Sequence, residues 1–288
     1  MVVYHVFPGI DLAYHSVHTD CCCLGTEAEG DFIEICHCRE GRMEQRQGND
    51  FFYLMQGDLS IAKRGSRCVK YHFPLRHYHG ISIVIDTDTA PECFSCFLKD
   101  VNVRPKEVAG RLCGEGSCCV IRSQDYVEHI FSELYAVPES YRKGYFKVKI
   151  LELLLVLSGI DPMENSLVSL TLSKTQTVLA KKAAAYLAAN IDRQVTVSEL
   201  SEKFHASQTC LQNAFKGVYG VPVRSYNRIL KMQSAALKLI HTDLTVLEIA
   251  GGCGYDNASK FALAFRRIMG ESPAEYRRMH GGGENILP

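Results

Sequence analysis

The chain has no run of apolar residues approaching the ~18 that a membrane span needs. Its longest, Ile150 to Leu157, is interrupted by Glu152. Met1 to His15 shows no basic segment leading into an apolar one, so no secretory leader is expected. There is no Gly-rich phosphate loop and no nucleophile elbow, which removes the commonest nucleotide-binding and hydrolase signatures. Net charge is also missing: 32 Lys and Arg balance 32 Asp and Glu across 288 residues, so the whole-chain charge points to no partner. Cysteine is the exception to this scarcity. There are thirteen, an odd number, three of them consecutive at 21–23 and two adjacent at 118–119. Neighbouring cysteines rarely bridge each other, so this is no disulfide framework, and a reducing cytoplasm is the expected home. With 47% hydrophobic and 22% charged residues the composition is that of a globular protein, and disorder is excluded as the dominant state.

The zero net charge conceals a division. Residues 171–288 hold 15 Lys and Arg against 9 Asp and Glu, a surplus of +6, and residues 1–170 carry the matching −6. An acidic half joined to a basic one suggests that the second half meets a polyanion.

The first ~115 residues read as short strands between turns. Asp31–Cys38 alternates, with Ile33, Ile35 and His37 on one face and Cys36 and Cys38 on the other. Phe51–Leu54, Asp58–Lys63 and His79–Asp86 are further strands, bounded by turn chemistry such as Gln56-Gly57-Asp58. Such a series predicts a small barrel or sandwich able to hold one small ligand. Helices are expected over Arg104–Cys113, over Ser123–Ala136 with Ser123 as N-cap, and from Pro138 to about Ser158. The last is so apolar that something must cover it, either its own barrel or a second copy of the chain. Residues 159–172, with Asp161-Pro162 and a Ser/Asn run, read as a linker.

From Ser173 the pattern changes. Ser173–Asn190 is an Ala-rich helix. Thr196-Val-Ser-Glu199 has the form of a capping box and opens a short helix to Phe204. After His205-Ala206, Ser207 caps a second helix to about Lys216: short helix, tight turn and second helix form a helix-turn-helix. Leu211, Phe215 and Val218 share one face of that second helix. Gln208, Thr209, Gln212 and Asn213 share the other, as side chains able to read base edges. The same grammar returns fifty residues on. Thr245-Val-Leu-Glu248 opens a short helix, and Asp256 or Asn257 caps another to Met269 whose inner face is Phe261, Phe265 and Ile268. An internal duplication is far more specific than a single helix-turn-helix. Between the copies, a helix from Pro222 to His241 would be roughly 30 Å long. That is near the ~34 Å between successive major-groove turns on one face of DNA. Arg224, Arg228, Lys231 and Lys238 on this rod are candidate phosphate contacts.

Ile249-Ala250, Gly254-Tyr255, Phe261-Ala-Leu-Ala-Phe265-Arg-Arg, Gly270-Glu-Ser-Pro273 and Tyr276-Arg277-Arg278 resemble the C-terminal signature of the AraC/XylS family of bacterial transcription regulators. Leu200, Leu211 to Lys216, Gly220, Pro222 and Tyr226 extend the likeness over about residues 175–280. The resemblance implies a seven-helix DNA-binding domain with two helix-turn-helix units. It implies promoter recognition, usually as an activator that contacts RNA polymerase. The first half is similar, more loosely, to the family's cupin-like effector and dimerisation domains. Tyr53-Leu54, Gly57-Asp58-Leu59 and Phe73 to Ser82 resemble a subgroup that includes siderophore-responsive members.

The fold class expected is therefore α+β: a cupin-like barrel to about residue 120, dimerisation helices over 123–158, a linker over 159–172, an all-α reader over 173–280 and a tail over 281–288. Base readout is assigned to Gln208, Thr209, Gln212, Asn213, Ser259, Lys260 and Leu263. Phosphate contacts are assigned to Ser207, Lys216, Arg228, Asn257, Arg266 and Arg267. The second reading face, with Ala258, Ala262 and Leu263, offers few bidentate donors, so the first unit is expected to supply most base readout. Three glycines before Tyr255 are expected to weaken the second unit's first helix. The partners expected are double-stranded promoter DNA, RNA polymerase, a small-molecule effector and a second copy of the chain, with no membrane.

Other residues invite chemistry. His77 and His79 place two imidazoles on one side of a strand, as metal-binding cupins do, but the further His and carboxylate cannot be located. They stand as effector-facing candidates, with no metal and no cofactor expected. Cys93-Phe-Ser-Cys96 has a zinc half-site gap without a second half. A catalyst is not expected: an alkyl-accepting repair enzyme built on such a reader needs a four-cysteine zinc cluster that is not recognisable. A ligand-independent binder remains the other alternative.

Overall fold

The computed structural model describes residues 1–25, 29–47, 50–66, 68–91, 103–114, 118–161 and 172–280. The Cys93/Cys96 pair, most of the expected linker and the tail lie outside them. The chain divides into two compact units, Met1–Ser173 and Lys174–Pro288.

The first unit has ten strands among the described residues: β1 (Val2–Phe7), β2 (Ile10–Val17), β3 (Cys21–Leu24), β4 (Glu29–Gly41), β5 (Met43–Gln47), β6 (Asp50–Leu54), β7 (Leu59–Ser66), β8 (Val69–His72), β9 (Tyr78–Asp86) and β10 (Cys118–Ile121). Its helices are α1 (Pro105–Cys113), α2 (Asp125–Tyr135) and α3 (Arg142–Gly159), the last preceded by a 3₁₀ turn over Glu139–Tyr141. The strands form two sheets, in the orders β1-β2-β9-β4-β7-β10 and β3-β8-β5-β6. The expected barrel is therefore an open two-sheet sandwich, since no ladder joins an edge of one sheet to the other among the described residues. The chain passes between the sheets at Gly41, whose φ of +87° lets β4 end and β5 begin in the second sheet.

Alternation along β4 builds both cores. Ile33 and Ile35 face α1–α3 with Leu12, Ile61, Ile81, Ile83 and Ile85. His37 joins them, stacked on Phe131 with ring centroids 4.1 Å apart. Cys36 and Cys38 face the second sheet with Met43, Leu54, Tyr71 and Phe73. Each fully buried aliphatic side chain contributes roughly 1.5–3 kcal/mol, so a strand apolar on both faces holds its sheet at the centre. In α3 the buried residues are Phe146, Lys149, Ile150, Leu153, Leu154 and Leu157. Val148 and Leu155 of the same helix are exposed. Lys149 reaches Glu152 at 2.7 Å and also pairs with Glu133. Ser123 does not cap α2: its hydroxyl lies 3.3 Å from Glu128 Oε1 and its N–H donates to Asp58, while Gln124 takes the cap position without a side-chain bond.

The second unit comprises α4 (Lys174–Ala189), α5 (Val197–Lys203), α6 (Gln208–Tyr219), α7 (Val223–His241), α8 (Val246–Gly251), α9 (Ala258–Met269) and α10 (Pro273–His280). Pro222 takes the N-cap position of α7 rather than its first turn. No helix among the described residues is long and apolar enough to cross a membrane.

Candidate nucleic-acid interface

The duplication is visible in the caps. Ser207 Oγ accepts from Cys210 N, and α6 ends at Gly220 with φ +77°. Asn257 Oδ1 accepts from Ser259 N and Lys260 N at 2.8 and 3.0 Å, and α9 ends at Gly270 with φ +84°. Each cap satisfies helix-end donors that would otherwise be orphaned. At the starts of the two units, Thr245 and Glu248 form a complete reciprocal capping box. At Thr196 the hydroxyl accepts from Glu199 N, and the Glu199 carboxylate is also held by Arg193 at 2.5 and 3.0 Å and by Tyr186 at 2.8 Å. Arg193 is the first cause of the Glu199 carboxyl falling to about 2.

The turns correspond as well. Both need a residue in the left-handed region, His205 (φ +49°) in the first unit and Gly254 (φ +71°) in the second. A Cβ on Gly254 would lie 2.6 Å from Asp192 O and 2.9 Å from Lys231 Nζ, so only glycine fits there. The glycines ahead of Tyr255 therefore do not weaken a helix interior. Helix α8 closes at Gly251, Gly252 is its C-cap, and Gly254 forms the turn.

Lys231 is not a phosphate contact. It is 6% exposed, and its ammonium donates to Arg193 O at 3.0 Å and Cys253 O at 2.7 Å. Burial lowers its pKa, yet the two carbonyls keep it bound. One side chain of the rod thus holds the loop before α5 and the turn before α9 together. Sequence reasoning missed this role because a lysine at a helical spacing says nothing about which face the turns close over.

All seven proposed base-reading residues are exposed: Gln208, Thr209, Gln212 and Asn213 on α6, and Ser259, Lys260 and Leu263 on α9. So are Ser207, Lys216, Arg228, Asn257, Arg266 and Arg267. Their helices are held from behind by Leu211, Phe215 and Val218 in α6 and by Phe261 and Phe265 in α9, all fully buried. Leu263 is 76% exposed, on the side of α9 opposite Phe261 and Phe265. Between the Gln194–Thr196 loop, α7 and the start of α9 lies a cavity of about 540 Å³, with Arg224, Arg228 and Lys260 on its wall. Arg224 and Arg228 stand one turn apart on α7, whereas Lys260 was not expected to join them, because it is 32 residues further along the chain.

The first unit holds a smaller cavity of about 200 Å³ lined by His15, Leu24, Glu34, Ser82 and Val84 among others. His15 Nε2 lies 2.7 Å from Ser82 Oγ. Glu34 accepts from Arg64 at 3.1 Å and from the Tyr71 hydroxyl. His77 and His79, the expected effector-facing pair, are not on this cavity. They stand at the start of β9 beside His18.

Comparison with known proteins places the second unit. Residues 200–279 match a family described as a helix-turn-helix domain. The uncharacterized HTH-type transcriptional regulator YdiP of Escherichia coli strain K12 is 36% identical over 101 residues, 35% of this chain and 33% of that protein. The HTH-type transcriptional activator RhaR of Enterobacter sp. strain 638 is 30% identical over 102 residues, 35% of this chain and 36% of that protein. The chain thus spans about a third of these two relatives. The transposon Tn10 TetD protein of Escherichia coli is 30% identical over 102 residues, 35% of this chain but 74% of that protein. A duplicated helix-turn-helix with matched caps and turns, on a stretch shared with these regulators, makes the chain a member of the AraC/XylS family of transcription regulators.

Proposed function

We propose that the protein is a one-component transcription activator whose second unit reads two adjacent major grooves of promoter DNA. The observation that carries this is the pair of capped twelve-residue helices, α6 and α9, each with a buried aromatic inward face and an exposed outward face, polar on α6 and mixed on α9. Nineteen residues of α7 between them give a spacer of roughly 28 Å, close to one duplex repeat. Arg224, Arg228 and Lys260 around the cavity supply the charge for a backbone phosphate bridging the two reading helices. Base contacts come mainly from Gln208, Thr209, Gln212 and Asn213, while Ser259, Lys260 and Leu263 add a phosphate contact and an apolar contact to thymine methyls.

The first unit is the sensor. Its effector is a small, mainly apolar molecule that enters the cavity between Leu24 and Val84, beside His15, Glu34 and Ser82. A siderophore-type ligand, suggested by resemblance, is large for about 200 Å³. The exposed Val148 and Leu155 on α3 are the core of a homodimer contact, which would bring two readers to paired sites. RNA polymerase is the partner at the promoter. Residues with catalytic roles play no part in this reading.

The test is footprinting of the full chain on DNA upstream of its own and neighbouring genes, followed by titration in rising salt. Affinity should fall steeply, and the slope of log K against log salt should drop by about two in an Arg224→Ala/Arg228→Ala variant. Binding that is indifferent to salt, or protection confined to one groove, would overturn the proposal.

A further inference from the structure

At one end of the interior strands of the larger sheet lies a group of imidazoles that DNA reading does not use. His18 follows β2, His77 precedes β9, and His79 is the second residue of β9. One ring nitrogen from each lies within 4.8 Å of the others. The scaffold is rigid, because β2, β9 and β4 are consecutive in the sheet and His79 pairs with Ser16 on one side and Glu40 on the other.

The ring nitrogens are sorted by their neighbours. His77 Nε2 lies 3.0 Å from Glu40 Oε1, and His18 Nε2 lies 3.3 Å from Ser16 Oγ. A carboxylate only accepts, so Glu40 holds the proton of a neutral His77 ring on Nε2 and leaves the Nδ1 lone pair free. The Ser16 hydroxyl can accept from His18 Nε2 in the same way. The two Nδ1 atoms then face each other 3.5 Å apart. Two nitrogens bound to one zinc-like ion at about 2.1 Å, at the tetrahedral angle, sit about 3.4 Å apart. Metal-ligating histidines characteristically give their other N–H to a carboxylate or similar acceptor, which is the role of Glu40 and Ser16 here.

We infer that His18, His77 and His79 form a binding site for a divalent transition-metal ion, oriented by Glu40 and Ser16. Three imidazoles suit zinc, cobalt, nickel or copper, whereas calcium and magnesium demand oxygen donors. A fourth position of a tetrahedral ion is left for water or a solute. The inference stands apart from DNA reading and from the cavity at His15, since no residue is shared.

Cobalt(II) chloride, added to the chelator-stripped full chain, is a direct probe. One ion per chain should bind, with visible ligand-field bands and no thiolate-to-metal charge transfer despite the many cysteines. His77→Ala/His79→Ala should abolish those bands, and the exposed His18→Gln, with least cost to folding, should weaken binding at least tenfold. Glu40→Gln should weaken it by about tenfold or more. Thermal unfolding in chelator reports that each variant is folded. No stoichiometric ion, a thiolate band, or unchanged binding in folded His18→Gln and the double variant would each overturn the site.

Discussion

Two buried histidines set how the first unit responds to acid. His15 and His37 are 5% and 2% exposed, and burial pushes both imidazoles down to about 4. Neither ring nitrogen of His37 has a hydrogen-bond partner among the described residues. An unfolded chain takes up both protons near pH 6.5, whereas the folded chain resists until near pH 4. The stabilisation is complete above about pH 6.5 and is lost as pH falls toward 4. Hydrogen exchange of β4 and β9 amides should quicken across that window. In His37→Leu, which keeps an apolar contact with Phe131, the acid loss should be shallower and the stability at pH 5 higher. In the second unit the paired turns predict opposite outcomes. Gly254→Ala should destabilise by more than about 1 kcal/mol, through positive φ and the collision with Asp192 O. His205→Gly should gain up to about 1 kcal/mol by relieving a left-handed residue that carries a side chain. Lys231→Met should cost about 1–3 kcal/mol, because it strands two buried carbonyls. Urea unfolding of each variant measures these changes.

At the scale of elements, the second unit was far more legible than the first. Helices α5 to α9 announce themselves through Ser, Thr and Asn caps, Gly stops and a strict 3.6-residue apolar spacing. Such signals act within one turn and need no tertiary context. The strands β1–β3, β5, β8 and β10 carry no comparable mark. β5 reads Met-Glu-Gln-Arg-Gln and β3 is three cysteines and a leucine, so their pairing is decided by partners distant in sequence. The same limit hid the third imidazole, since His18 is 59 residues from His77. It also hid the outward turn of Val148 and Leu155, because an α3 apolar nearly all round shows no preferred side in sequence. The exposed pair makes a prediction of its own. Leu155→Glu, alone or with Val148→Glu, should convert a dimer to a monomer in light scattering without lowering the melting temperature. For the reading helices, Gln212→Ala and Asn213→Ala should erase discrimination between promoter sequences, while Ser259→Ala should leave it largely intact. Competition footprinting on base-substituted sites separates the two.

Over the whole molecule, the charge division of −6 and +6 follows the two compact units closely. On the proposed reading, the acidic first unit adds no attraction for a polyanion, and DNA attraction is expected to belong to residues 174–280. That fragment alone should retain the salt dependence of the full chain in fluorescence anisotropy, and the first unit alone should not shift DNA at all. A loss of binding by the fragment would show that the first unit supplies contacts or a second reader.

The grip of Lys231 on Arg193 O and Cys253 O has a consequence for descent within such regulators. Main-chain carbonyls are the same whatever residue bears them, so the tie between the loop before α5 and the turn before α9 does not depend on the letters around it. On the proposed reading, outward residues of α6 and α9 can drift, and operator preference can be rewritten, while the calipers stay set.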